Sequence, residues 1–193
     1  YIVSVPPQQR ISEEWYRGTA DAVYQNLFLL DNDHAEFLLV LAGDHIYKMN
    51  YADMYNLLIE KQADAVVGAI ETPLADANRF GVIAVDEDRR ILSFDEKPDK
   101  PMHIPGDPTQ AFVSMGIYLF RTDVVREQLI RDAKEGTKHD FGKNIIPQAI
   151  ENLRVFAYPF EDVRSKAQHY WRDVGTIDAY YEANMELVSV SPI

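Results

Sequence analysis

Apolar and polar residues follow two different spacings along the chain, and each spacing predicts one kind of element. Apolar side chains three and four positions apart predict amphipathic helices, whereas short continuous apolar runs predict strands buried on both faces. The predicted helices span residues 19–30, a segment that starts at Asn50, residues 123–133 and residues 176–188. The predicted strands span residues 2–5, 36–42, 65–70, 82–85, 91–94, 111–120, 154–159 and 169–173.

This alternation of strands and helices is typical of the α/β class, with a mostly parallel, Rossmann-like sheet flanked by helices. Polar residues between the elements support the same division. Thr19, Asn50 and Thr176 are good N-caps for the helices that begin there. Residues 86–89 predict a hairpin turn, and the prolines within residues 100–108 predict a loop. A chain of 193 residues is long enough to form one domain with a substantial core.

Two aspartates follow predicted strands of this sheet. Asp44 follows an apolar run and a glycine, and Asp173 ends the predicted strand at residues 169–173. Parallel α/β sheets place ligands at the carboxyl ends of their strands, so we expect the two carboxylates to lie close together. Such a pair can hold one Mg²⁺, which prefers oxygen ligands and keeps waters and substrate phosphates. Taken singly, each aspartate is equally compatible with a solvated turn that ends a strand.

The composition limits the classes of partner. With 31 acidic and 19 basic side chains the net charge is −12, which argues against a nucleic-acid partner. No apolar segment approaches the roughly 20 residues that cross a bilayer, and no signal-peptide pattern is present, so no membrane partner is expected. The absence of cysteine excludes disulfides and thiolate metal sites. A hydrophobic content of 47% fits a cytoplasmic globular enzyme domain.

Seven short motifs occur in order along nearly the whole chain. They are Trp15-Tyr16-Arg17-Gly18-Thr19-Ala20-Asp21-Ala22, Gly43-Asp44-His45-Ile46-Tyr47, Arg79-Phe80-Gly81-Val82-Ile83, Phe94-Asp95-Glu96-Lys97-Pro98, Ser114-Met115-Gly116-Ile117-Tyr118, Asp140-Phe141-Gly142-Lys143-Asn144-Ile145-Ile146-Pro147 and Trp171-Arg172-Asp173-Val174-Gly175-Thr176. Their succession resembles the glucose-1-phosphate adenylyltransferases (ADP-glucose pyrophosphorylases), within the sugar nucleotidyltransferases.

The resemblance implies the nucleotide-diphospho-sugar transferase fold and a specific reaction. The adenylyl group of ATP is transferred to α-D-glucose 1-phosphate, which gives ADP-glucose and pyrophosphate for glycogen or starch synthesis. It also implies Mg²⁺ as the cofactor, a homotetrameric parent enzyme, and a cytoplasmic location, or a plastid location in a plant. Because the sugar phosphate is already an anionic nucleophile, the protein needs no strong base and acts by positioning and charge neutralisation.

The sugar-phosphate pocket that the resemblance implies consists of Tyr16, Gly81, Glu96, Lys97 and Ser114. Glu96 and Lys97 are implied to hold glucose and its 1-phosphate. These residue types suit the role, because a lysine is a compact cation for a phosphate and a glutamate accepts hydrogen bonds from sugar hydroxyls.

The resemblance also implies where the nucleotide and the metal ion bind. Adenine is expected near Gly18, Thr19 and Ala20, where a helix begins and its first amides favour polar or anionic groups. Asp44 and Asp173 are expected to bind Mg²⁺ and, together with Lys97, to act in catalysis. The Asp-x-Asp pattern at residues 31–33 lacks a preceding strand, so we interpret it as a solvated turn, which argues against a glycosyltransferase.

Two segments typical of the family are not recognisable in this sequence. One is a glycine-rich loop, with an Arg and a Lys after it, that binds the triphosphate, and the other is a C-terminal left-handed β-helix. We therefore interpret residues 1–193 as a partial catalytic domain that holds the sugar-phosphate half of the site, and we expect the isolated chain to be inactive. Two other functions stay open: a non-catalytic or regulatory sugar-phosphate-binding subunit, and another sugar-1-phosphate nucleotidyltransferase.

Overall fold

The computed structural model describes residues 2, 4–6, 15–160 and 170–189, without the side chains of Asn32 and Asp33. Within these ranges the helices are α1 (Thr19–Tyr24), α2 (Leu27–Asp33), α3 (Tyr51–Glu60), α4 (Thr122–Asp132), α5 (Ile146–Asn152) and α6 (Ile177–Leu187). The strands are β1 (Phe37–Val40), β2 (His45–Tyr47), β3 (Ala65–Pro73), β4 (Gly81–Val85), β5 (Ile91–Glu96), β6 (Gln110–Arg121), β7 (Val155–Pro159) and β8 (Trp171–Asp173). Residue 3 of the strand predicted at residues 2–5 lies outside the described residues. So does residue 169, the first residue of the strand predicted at residues 169–173.

The centre of the fold is a six-stranded sheet in the order β5-β4-β6-β3-β7, with β1 paired to the C-terminal half of β6. The long strand β6 runs antiparallel to β1, β3 and β4, and the parallel pair among the described strands is β3 with β7. The α/β class is confirmed, but the sheet is mixed and not mostly parallel. A continuous apolar run indicates that a strand is buried on both faces, but it does not indicate the direction of the strand. A central antiparallel strand covered on both faces has the same apolar pattern as a parallel strand.

Apolar clusters cover both faces of this sheet. Strand β3 shows why, since Ala65 and Val67 belong to one cluster and Val66 belongs to the other, as the two-residue period of a strand requires. The first cluster includes residues of α1, α4 and α5, and the second includes Met54 and Leu58 of α3. The fold therefore has three layers, and the strand predicted at residues 65–70 is buried on both faces.

Strand β1 is less buried than the sequence predicts. All four of its residues are half-buried, and Leu41 beyond its end is 44% exposed. Among the described strands β1 pairs with β6 alone, so it lies at an edge of the sheet that these strands form. A strand is present within residues 36–42, as predicted, but the prediction that it is buried on both faces is wrong.

The predicted helix at residues 19–30 is interrupted at Gln25 and Asn26. The Asn26 side chain donates a hydrogen bond to the carbonyl of Ala22 at 2.8 Å, and Asn26 is the N-cap residue of α2. Because Asn competes for backbone groups in this way, it often ends one helix and starts the next. Apolar spacing alone did not reveal the break.

Two of the three predicted helix caps are present. The side chain of Asn50 accepts a hydrogen bond from the amide of Ala52, and that of Thr176 accepts one from the amide of Ala179. Thr19 is not a cap, because Gly18 holds the N-cap position of α1 and the Thr19 hydroxyl bonds to another segment.

The hairpin predicted at residues 86–89 joins β4 to β5, and Asp86 accepts hydrogen bonds from two amides of the turn. The structure adds a small antiparallel sheet of β2 and β8, a 3₁₀ turn at Ala77–Arg79, and a π-helical turn at Phe141–Ile145 that leads into α5. The helical segment at 141–152 was not predicted. Its apolar residues have helical spacing, and Pro147 lies in the first turn of α5, where proline is tolerated.

Among the described residues, no helix has the length and apolar composition needed to cross a membrane.

Candidate active site

A cavity of about 270 Å³ lies between the β1–β2 connection, the end of β5, the middle of β6 and the turn at residues 140–142. Six of the ten predicted site residues line it: Thr19, Gly81, Glu96, Lys97, Ser114 and Asp173. A larger recess of about 610 Å³ lies beside the end of α2 and residues 121–123, and none of the predicted site residues line it. The smaller cavity is therefore the candidate active site.

The Glu96 carboxylate lies between two glycines. A methyl group added to Gly81 or to Gly142 would come within 3.0 Å of Glu96 Oε2. Pairing of β4 with β5 sets Gly81 directly opposite Glu96, and Gly142 approaches from the π-helical turn. The two glycines thus allow backbone to pack closely around a carboxylate that faces the cavity, where it can accept hydrogen bonds from hydroxyl groups.

The environment of Glu96 raises the pKa of its carboxyl group. Burial raises the pKa of Glu96 above its ordinary value, and the nearby negative charge of Asp140 raises it further. The positive charges of Lys97 and Lys143 oppose this effect without cancelling it. Perturbed carboxylates in clefts are candidates for functional sites, so the electrostatics agree with the location of the cavity.

Two cations also line the cavity. Lys97 follows β5 with a left-handed backbone, at φ 52°, and its amide donates to the carbonyl of Phe80 at 3.0 Å. A non-glycine residue in this conformation costs about 1 kcal/mol or more, so the surrounding structure must hold it. Arg79 is the second cation, with its guanidinium carbon 5.8 Å from the centroid of the Phe80 ring. A cavity with two cations is suited to a phosphate.

A bulge in β6 brings further polar groups to the cavity. Val67 pairs with Tyr118 and Ala69 pairs with Ser114, so residues 115–117 of β6 lie opposite Gly68 alone. Both Ser114 and Tyr118 consequently line the cavity, and the Ser114 hydroxyl lies 3.5 Å from that of Tyr118. Burial raises the pKa of Tyr118 to about 12.

The same bulge anchors the segment that carries Asp44. Gly116 has φ 66°, and a methyl group on it would lie 3.2 Å from Ala42 and 3.3 Å from the His45 ring, so the position requires glycine. His45 Nδ1 lies 2.8 Å from the carbonyl oxygen of Met115. Its Nε2 lies 3.6 Å from Asp44 Oδ1. The imidazole is thus hydrogen-bonded to the bulge and lies next to the Asp44 carboxylate.

The structure brings Asp44 and Asp173 together. Strand β2 pairs with β8 so that His45 lies opposite Asp173, and the amide of Val174 donates to the carbonyl of Asp44 at 2.9 Å. A methyl group on Gly175 would lie 3.0 Å from Asp173 Oδ1 and 3.5 Å from Asp44 Oδ2. The route differs from the expected one, because a separate antiparallel pair, and not the ends of two parallel strands, joins the two residues.

The pair of carboxylates fits a hard divalent cation. The Asp44 side chain is 62% exposed, and Asp173 is an exposed residue that lines the cavity. Such a cation is commonly bound by one or two carboxylates while waters and substrate phosphates complete its shell. In the part of the chain that the structure describes, no group of three or more His, Cys, Asp or Glu side chains is arranged to hold a metal ion.

The segment at residues 18–20 is largely committed to protein contacts. A methyl group on Gly18 would lie 2.3 Å from the carbonyl oxygen of His139, so this glycine packs against the loop backbone. The amides of Ala20 and Asp21 both donate to that same carbonyl, at 2.8 and 3.3 Å. Of the three residues predicted to lie near adenine, Thr19 lines the cavity, whereas the amides of Ala20 and Asp21 are occupied by the His139 carbonyl.

Tyr16 does not line the cavity that the described residues enclose. Its hydroxyl donates to the carbonyl of Val5 at 3.1 Å and accepts from the Asn26 side chain at 2.8 Å. The predicted role of Tyr16 in binding the sugar phosphate stays a prediction. Sequence reasoning conversely gave no role to Arg79, Tyr118 or Asp140, which line the cavity although each lies in one of the seven motifs.

Comparison with known proteins agrees with this geometry. The profile of the nucleotidyl transferases matches residues 3–190. The chain belongs to the nucleotidyl transferase family. The glucose-1-phosphate adenylyltransferases of Rhodopirellula baltica and Methylococcus capsulatus are each 52% identical to it over 193 residues, which cover 100% of this chain and 43% and 46% of theirs. The protein of the same name from Methylobacillus flagellatus is 51% identical over 196 residues, 46% of its length.

Membership of the nucleotidyl transferases confirms the resemblance that the seven motifs indicate, and the names of the relatives agree with it. The chain spans less than half the length of these curated relatives. Nucleotidyl transferases generally use a divalent metal ion, which suits the all-oxygen pair of Asp44 and Asp173.

Proposed function

We propose that this nucleotidyl transferase binds glucose 1-phosphate in the cavity and belongs to an enzyme that transfers the adenylyl group of ATP to it, with ADP-glucose and pyrophosphate as products. The observation that carries the proposal is the grouping of Lys97, Glu96 and Ser114 in one cavity with Asp173. A cation, a carboxylate, a hydroxyl and a second carboxylate are the groups that a sugar phosphate and a metal ion need. The similarity to proteins named glucose-1-phosphate adenylyltransferase supports the choice of sugar.

The size and charge of the cavity suit this ligand. Its volume of about 270 Å³ is close to the lower end of the range for ligand pockets, which begins at roughly 300 Å³, as a monosaccharide phosphate requires. Lys97 and Arg79 would neutralise the phosphate. Glu96 and Asp140 would accept hydrogen bonds from the hydroxyl groups of glucose, and the Ser114 hydroxyl would donate one.

The chemistry then follows from charge. An oxygen of the sugar phosphate attacks the α-phosphorus of ATP, the bond from that phosphorus to the β-bridging oxygen breaks, and pyrophosphate leaves. The nucleophile is already ionised, so the residues of this chain orient it and balance its charge. The role of Lys97 is to reduce repulsion between the two phosphorylated substrates.

A Mg²⁺ ion would supply positive charge to the phosphate oxygens, and Asp44 and Asp173 are the residues that would hold it. ATP as the second substrate and a homotetrameric parent enzyme are part of the same proposal.

Isothermal titration of the 193-residue chain with glucose 1-phosphate, mannose 1-phosphate and galactose 1-phosphate tests the proposal. We expect glucose 1-phosphate to bind most tightly, and Lys97→Ala to weaken its binding about tenfold, since a hydrogen-bonded charge contributes roughly 1.5–3 kcal/mol. Lys143→Ala is the matched control, because Lys143 lies near Glu96 without lining the cavity, and its loss should have a smaller effect. Equal affinity for the three sugars, or equal effects of the two variants, would contradict the assignment.

A further inference from the structure

The Thr19 hydroxyl makes two hydrogen bonds across a sequence separation of more than 100 residues. It donates to Asp140 Oδ2 at 3.1 Å, and it accepts from the amide of Phe141, also at 3.1 Å. A hydroxyl is suited to this position because it donates to a carboxylate and accepts from an amide at the same time. Thr19 itself is exposed, so this contact does not contribute to the apolar core.

These bonds complete a connection between the start of α1 and residues 139–141. Its other half is formed by the amides of Ala20 and Asp21, which both donate to the carbonyl of His139. His139 is 3% exposed, has a left-handed backbone with φ 51°, and its Nδ1 lies 2.7 Å from the buried carboxylate of Asp132. The backbone of residues 139–141 is thus held on its buried side by the contact between His139 and Asp132. On the side of the cavity it is held by the Thr19 hydroxyl.

The group that Thr19 holds is a carboxylate with a like-charged neighbour. A methyl group on Gly142 would lie 3.0 Å from Glu96 Oε2 and 3.5 Å from Asp140 Oδ1, so the two carboxylates flank this glycine. Their repulsion contributes to the raised pKa of Glu96. Asp140 Oδ1 accepts from the amide of Lys143 at 3.0 Å, and Oδ2 accepts from Thr19. Without the second bond, repulsion favours rotation of Asp140 away from Glu96.

We propose that Thr19 is a positioning residue that holds Asp140 beside Glu96, so that two carboxylates face the sugar hydroxyls together. This role rests on the proposed function and differs from the expected contact of Thr19 with adenine. It acts through Asp140 and not through direct contact with the phosphate, which Lys97 and Arg79 neutralise. The hydroxyl of Thr19 should therefore matter for the sugar part of the ligand and not for its phosphate.

The variants Thr19→Val and Thr19→Ser separate the hydroxyl from the shape of the side chain. Valine matches threonine in size but neither donates nor accepts, whereas serine retains both bonds. We expect Thr19→Val to weaken binding of glucose 1-phosphate about tenfold and Thr19→Ser to change it less than about twofold. Binding of inorganic phosphate should be the same in both variants and in the unmodified chain. Hydrogen exchange of the Phe141 amide should become faster in Thr19→Val alone.

The outcomes distinguish this proposal from the one on which it rests. If the unmodified chain prefers glucose 1-phosphate over phosphate and Thr19→Val binds it equally well, Thr19 has no positioning role. Equal weakening of glucose 1-phosphate and phosphate would indicate a general disturbance of the cavity and would also overturn the proposal. Unchanged exchange at Phe141 would exclude the bridging bond itself, whatever the ligand. A chain that binds phosphate without any preference for glucose 1-phosphate would instead contradict the proposed function.

Discussion

Replacing Glu96 with Gln should stabilise the fold at neutral pH while weakening the binding of glucose 1-phosphate. Burial raises the pKa of Glu96, with a further contribution from Asp140 and partial compensation by Lys97 and Lys143. Below the unfolded-state pKa, near 4.5, Glu96 is protonated in both states and costs nothing. Between the unfolded-state pKa and the raised folded-state pKa, the unfolded state ionises first, so its free energy falls relative to that of the folded state and the fold loses stability. Gln is neutral throughout and carries no such penalty.

The magnitude follows from the linkage between pKa and stability. Each unit by which folding raises a pKa costs about 1.4 kcal/mol at higher pH. Because Glu96 is half-buried and two lysines are close, solvent and counter-charge screening limit the expected gain to the order of 1 kcal/mol. For a chain of this size, that corresponds to a rise in Tm of about 2–4 °C. Stability and binding should thus change in opposite directions, as is typical of a group retained for function.

The assay is thermal unfolding followed by circular dichroism from about pH 4 to pH 8. The difference in Tm between Glu96→Gln and the unmodified chain should be small at the acid end and grow to a plateau towards neutral pH. Glu87→Gln is the control, because Glu87 is exposed in the β4–β5 turn and should show no such trend. A Glu96→Gln variant that is less stable at neutral pH, or a difference independent of pH, would refute the argument from burial.

Three further predictions concern the metal pair, the glycine contacts and the reaction. Asp173→Asn should weaken binding of Mn²⁺, measured by water-proton relaxation, about tenfold, and Asp44→Asn should do the same if the two carboxylates share one ion. Gly142→Ala should weaken binding of glucose 1-phosphate severalfold in titration because its methyl group meets Glu96, whereas Gly136→Ala, with no atom within 4 Å, should not. The 193-residue chain should release no pyrophosphate above background from ATP, glucose 1-phosphate and Mg²⁺, and measurable turnover would contradict its interpretation as a partial site.

Local chemistry explains which elements could be predicted. The caps at Asn50 and Thr176 depend on one side chain and an amide two or three residues away, and both are present. The hairpin at residues 86–89 depends on Asp86 and the amides of its own turn. The strand at residues 65–70 is recognisable because a strand covered by helices on both faces has a continuous run of apolar residues. In each case the information lies within a few consecutive residues.

Strand direction was not predictable in the same way. The apolar run in β6 resembles that of a buried parallel strand, yet β6 runs antiparallel to three neighbours and contains the bulge at residues 115–117. Most residues that line the cavity nevertheless lie within the seven motifs, although the sequence analysis assigned only six of them to the site. Asp44 and Asp173 were correctly expected to be neighbours in space, but through the wrong pairing of strands.

The cavity depends on departures from regular structure that long-range contacts stabilise. Lys97 is left-handed and is held by the carbonyl of Phe80, while left-handed His139 is held by buried Asp132. The π-helical turn at residues 141–145 presents Gly142 to Glu96. Each irregularity costs free energy in isolation and persists because a distant segment fixes it. A prediction from the spacing of apolar residues considers each element by itself and contains no information about these distant contacts. It therefore cannot predict the backbone geometry that brings the motifs together in one site.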